Sequence, residues 1–201
     1  MRKRMIVLLA VFMLVLTVLP VVFAGEPADH YSTVVHDISN LPTITEIEGS
    51  RASLVTNDQG ATLQVKTSGL TPGNALTVWW VIFNYPENCS DGVCGMDDAF
   101  PPPGNVAAGA SVSYAAGHVI GGSGKGNFGA HIPVDGDAAP WTMGLVNPRT
   151  AEYHFVLRDH GPALPGIVNE QINTAGGGCN NIPPFTGDFT CVDIQAGMFG
   201  G

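Results

Sequence analysis

Histidine is the residue type in this chain whose spacing comes nearest to chemistry. His154 and His160 both fall in Glu152-Tyr153-His154-Phe155-Val156-Leu157-Arg158-Asp159-His160-Gly161-Pro162. In an extended strand they have the same parity and share a face with Arg158. His118 lies in a separate extended stretch, and His131 in the next one. Imidazoles converging from different strands can ligate copper or zinc, which makes His118, His154 and His160 a candidate Cu or Zn set. The same residues with Arg158 also read as a polar ligand pocket at a strand end. On that reading, replacing His154 and His160 by Ala abolishes binding and leaves the melting temperature nearly unchanged. The plain alternative is a solvent face on which Glu152 and Arg158 form surface pairs worth under about 1 kcal/mol.

Other chemistries have weaker support. Asp91, Asp97 and Asp98 crowd one loop and could hold Ca²⁺, which ranks behind Cu and Zn. Ser, His160 and Asp159 are the residue types of a hydrolytic triad, but no G-x-S-x-G or H-E-x-x-H motif selects them. Gly121-Gly122-Ser123-Gly124-Lys125 lacks the spacing of a phosphate-binding loop and reads as a hairpin connection. The expectation is therefore a non-enzymatic protein with no resident cofactor.

The four cysteines are Cys89, Cys94, Cys179 and Cys191. An even count in an exported chain predicts disulfides, with three possible connectivities. The local pairs, Cys89–Cys94 and Cys179–Cys191, are expected, because each pins a loop poor in apolar residues. A zinc site would need a second Cys-x4-Cys, which is missing.

Export is read from the N-terminus. Met1-Arg2-Lys3-Arg4 precedes an apolar run from Met5 to Phe23, with Pro20 near its end and Ala24-Gly25 after it. This is the pattern of a Sec-type signal peptide over residues 1–24; a retained anchor is the rival, since the run approaches bilayer length. Cleavage removes three of the eight basic residues and none of the 17 acids, taking the formal charge from -9 to -12. Such a surface repels nucleic acid and anionic lipid. The expected partner is an extracellular ligand or protein, with no membrane contact after cleavage.

The elements that must position these residues are strands. Gly (26) and Pro (15) punctuate the chain, and charged residues make up only 12% of it, the composition of many short strands joined by tight turns. The organising stretch is Leu76-Thr77-Val78-Trp79-Trp80-Val81-Ile82-Phe83-Asn84, apolar on both faces and bounded by turn formers. A strand buried on both sides belongs in the middle of its sheet, with one Trp in the core and the other under a loop or second layer. Residues 25–50 read as a polar lead-in with edge strands at 33–38 and 43–47. Arg51–Thr56 and Ala61–Thr67 read as a hairpin, with Leu54, Leu63 and Val65 inward. Further strands are expected at 111–120, 126–134, 151–158 and 189–199, and a short helix within 165–174. Long loops at 84–110, with polyproline at 101–103, and at 160–188 are the expected binding surfaces; Trp141 sits in another loop.

The fold class expected is an all-β immunoglobulin-like antiparallel sandwich of about seven to nine strands over residues 51–201. Leu70-Thr71-Pro72-Gly73-Asn74-Ala75-Leu76-Thr77-Val78 resembles the turn-then-strand phrase of fibronectin-type-III-like domains. Trp79–Pro86 with Cys89 and Cys94, then Ala116-Gly117-His118, then His154–Pro162, resembles a group of secreted bacterial proteins. That resemblance implies export and carries no mechanism.

Overall fold

Eight antiparallel strands form one continuous sheet among the residues that the computed structural model describes, 27–100, 105–136, 143–182 and 186–200. The signal-peptide reading of 1–24, the polyproline stretch and Trp141 lie outside the described residues. In chain order the strands are β1 (Asp29–Asn40), β2 (Thr43–Asn57), β3 (Gly60–Thr67), β4 (Asn74–Phe83), β5 (Ala110–Val119), β6 (Gly126–Pro133), β7 (Glu152–Pro162) and β8 (Val192–Phe199). Their spatial order is β5-β4-β7-β8-β1-β2-β3-β6.

The sandwich expectation is corrected here: the sheet is barrel-like. The two-sheet picture fails because β1 pairs with both β2 and β8, joining the β2-β3-β6 half to the β5-β4-β7-β8 half through hydrogen bonds. Residues 33–38, expected at an edge, therefore lie in an interior strand. The sheet curls until β5 and β6 approach each other. His118 of β5 stacks on Phe128 of β6 at that seam, with ring centroids 4.3 Å apart. Eight strands enclose a space just wide enough for side chains to fill.

β4 shows how the sequence makes this layout. Its alternation sends Leu76, Val78, Trp80 and Ile82 into the barrel, where they pack with Leu54, Leu63, Val65, Phe155 and Leu157. Val81 and Phe83 point outward, and they too are buried, in a second cluster with Cys89, Cys94, Ala99, Ala108, Ala110 and Val156. β4 lies between β5 and β7, one strand in from the seam. The extra layer over its outer face is the 84–110 loop, with a short helix α1 (Met96–Ala99), and a second loop from 163 to 191, with α2 (Val168–Gln171) inside the segment expected to be helical. Both local disulfides are present, Cys89–Cys94 and Cys179–Cys191. No helix among the described residues is long and apolar enough to cross a membrane.

Candidate functional site

Strand register builds a platform on the outer face. Tyr114, Trp79 and Val156 are cross-strand neighbours over β5, β4 and β7, and Val112 and Val81 form the adjacent row. One row further along, Thr77 lies between Gly117 and Arg158, and Arg158 is opposite Asp193 of β8. The 84–110 loop covers the Phe83 end of this platform, and the 163–191 loop covers the Thr77 end. Between them is a groove of about 510 Å³, walled by Met96 and Phe100 on one side and Asn173, Thr174, Ala175 and Ile182 on the other. That volume falls within the roughly 300–1,000 Å³ of small-molecule sites.

Each loop docks through its own polar knot. In the first, the Asp98 carboxylate accepts from the Ser90 N–H (3.0 Å), the Ser90 hydroxyl (2.6 Å), the Asn105 amide (2.8 Å) and the Gly95 N–H (3.4 Å). Asp98 has no solvent contact. The Ser90 and Asn105 hydrogen bonds hold its pKa below the usual carboxylate value, against the opposing effect of burial. Four donors satisfy this carboxylate without a cation. Asp91 accepts the Val93 N–H in a local turn. At the base, Asn84 ties three segments together. Its amide donates to the carbonyls of Gly109 (2.9 Å) and Gly144 (2.8 Å), and its oxygen accepts from the Val146 N–H (2.7 Å).

The second knot is centred on His160, which is fully buried. Trp79 Nε1–H can only donate, and it donates to Thr77 Oγ1 at 2.8 Å. The Thr77 hydroxyl proton is then directed to His160 Nε2, 2.8 Å away, and His160 Nδ1–H donates to the Gly177 carbonyl at 2.9 Å. The Gly177 carbonyl can only accept, so Nδ1 carries a proton, and in the neutral ring that burial favours Nε2 accepts from Thr77. Burial, with the Arg158 charge adding to it, pushes His160 below the ordinary histidine pKa; the Gly177 hydrogen bond and nearby Asp159 and Asp193 oppose that shift. Gln171, also fully buried, donates to the His160 (3.3 Å) and Pro162 (3.0 Å) carbonyls and accepts the Leu164 N–H (2.8 Å). Gly117 lets the loop touch the sheet: a Cβ there would lie 2.1 Å from the Ile172 carbonyl oxygen. The Tyr114 hydroxyl donates to that same oxygen at 2.9 Å.

The structure separates the sequence-predicted histidines. His118 faces the barrel interior at the seam, and burial lowers its pKa. His154 and His160 share the outer face of β7 as expected, but six strand residues span roughly 20 Å, far beyond a common ion. His154 Nε2 is paired with Glu152 at 2.6 Å, and its ring packs edge-on against Phe83. His131 is bonded to Thr62. Among the described residues, the one group with ligand atoms close enough for a metal is His160 with Cys179 and Cys191. Both of those sulfurs are bound in the disulfide, which leaves no thiolate for a metal. Of the four candidate ligand residues, Arg158 alone lines the groove. It is held by Asp193 in a bidentate pair at 2.7 and 2.9 Å, with side chains 25% and 27% exposed.

Sequence reasoning missed Trp79, Val112, Tyr114, Val156 and Asp193 as site residues. One signal was present, the apolar outward face of β4; its continuation across β5 and β7 needed the register. No family model matches this chain, and comparison with curated proteins and with solved structures finds no match.

Proposed function

We propose that this is an exported, non-enzymatic binding domain whose site is the groove between the two disulfide-bonded loops. One observation carries the reading: an open hollow of about 510 Å³ with an apolar floor on the sheet, framed by loops that disulfides and buried polar knots hold in place. A preformed concave surface with few polar groups is the usual form of a small-molecule site. Rigid walls also reduce the ordering cost of binding. The two disulfides favour an oxidising compartment, and the basic-apolar-small pattern of residues 1–24 supports a Sec-type route to it.

The test is amide NMR of the isotope-labelled protein with a library of small organic fragments. Shift changes are expected at Trp79, Tyr114, Val156 and Ala175. Changes scattered over the surface, or concentrated at the β1–β2 hairpin, would overturn the assignment.

A further inference from the structure

We infer that the groove selects an uncharged, mainly apolar small molecule bearing one hydrogen-bond acceptor, and that the Arg158–Asp193 pair sets this selectivity. The inference rests on the groove being the binding site.

The floor provides the first part of the argument. Trp79 and Tyr114 line the groove, but both polar handles are used elsewhere: the indole N–H on Thr77 and the phenol hydroxyl on Ile172. With Val81, Val112 and Val156, they make the floor mainly aromatic and methyl surface. A ligand rich in hydroxyls would lose its hydration there without replacement hydrogen bonds.

Charge provides the second part. Among the described residues, Arg158 is the one cationic residue lining the groove, and Asp193 the one acid. Their bidentate contact cancels both charges and uses two of the five guanidinium donors. The donors left over suit a carbonyl or ether oxygen. An anion would have to compete with Asp193, and would approach a chain of formal charge -9. A cation would find no unpaired acid among the described lining residues.

Two naphthalene dyes test this by fluorescence titration: Prodan, uncharged with a ketone oxygen, and ANS, which carries a sulfonate. Prodan is expected to bind with a blue-shifted emission, about tenfold or more tighter than ANS, as one charge-assisted hydrogen bond is worth about that ratio. Ala175→Trp, which fills the groove from the loop side, should weaken Prodan by a similar factor. Asp193→Asn, by releasing Arg158, should raise ANS affinity about tenfold, and Arg158→Gln should remove that gain in the double variant. Circular dichroism checks that each variant folds. If ANS binds as tightly as Prodan and Ala175→Trp blocks both, the selectivity is wrong and the site stands. The selectivity also fails if the dye ratio is the same in Asp193→Asn and in Arg158→Gln as in the parent. If neither dye binds, or binding ignores Ala175→Trp, the site itself fails.

Discussion

The two loops that frame the groove are built to the same plan around different charge states, one anionic and one neutral. The 84–110 loop closes on an ionised carboxylate, Asp98, which collects four donors. The 163–191 loop closes on a neutral imidazole, His160, which accepts from Thr77 and donates to Gly177. Each carries a disulfide, of sequence separation 5 in the first and 12 in the second. Both knots lower a pKa, but for different reasons. Hydrogen bonds favour the charged form of Asp98, whereas burial disfavours the charged form of His160. Similar loop architecture thus responds to pH in two separate windows.

The largest effect should erase the comparison altogether. Trp80→Ala removes the core of β4, on which both loops rest, and should cost about 3–5 kcal/mol. In urea unfolding, both loops should be lost in the same transition. A loss below about 1 kcal/mol would contradict the central place of Trp80.

Removing the disulfides one at a time sharpens the comparison. Chain-entropy arguments give about 3 kcal/mol for the longer Cys179–Cys191 loop and about 2 kcal/mol for Cys89–Cys94. Paired Cys→Ala variants compared by denaturant midpoint should follow that order. The reverse order would show that the Asp98 knot depends on its disulfide more than the His160 knot does.

Acid should then separate the loops. A folded-state pKa below the unfolded value adds stability that is complete above the unfolded pKa and is lost as pH falls toward the folded one. For His160 that loss begins below about 6.5, and for Asp98 only below about 3.9. Hydrogen exchange, corrected for intrinsic rates, should show residues 171–182 losing protection between pH 7 and 5 while residues 88–99 keep theirs. Equal behaviour of both segments in that window would remove His160 as the pivot.

The two β7 histidines should differ from each other, and His154 carries the smallest effect. His160→Ala leaves the Thr77 hydroxyl proton without its acceptor and the Gly177 carbonyl without its donor, and should cost about 2–3 kcal/mol. His154→Ala, which breaks a partly exposed pair with Glu152, should cost under about 1 kcal/mol. The double variant is therefore expected to melt early, in contrast to the unchanged melting temperature that a surface pocket would imply. Differential scanning calorimetry of the three variants decides between them.

Much of the fold is legible in the chain. The both-faces-apolar run 76–84 marks a strand buried on both faces with one Trp in the core; the structure makes that residue Trp80, sets β4 second in the strand order and leaves Trp79 partly exposed on the groove floor. Local alternation placed Leu54, Leu63 and Val65 in the core, and the proximity of cysteines along the chain selected both disulfides. These features depend on residues that are neighbours in sequence or parity, so periodicity carries them. Whether the strands make one barrel or two sheets depended on β1 pairing with β8 as well as β2. Inward alternation is the same in both architectures. The site was less legible for the same reason. His154 and His160 share a face in sequence, yet strand rise holds them apart; His154 pairs locally with Glu152, whereas the partners of His160, Thr77 and Gly177, come from other parts of the chain. The groove joins Tyr114, Trp79, Val156 and Asp193 across four strands. Only the tertiary register, which sums many weak pairings over the whole sheet, could set them side by side.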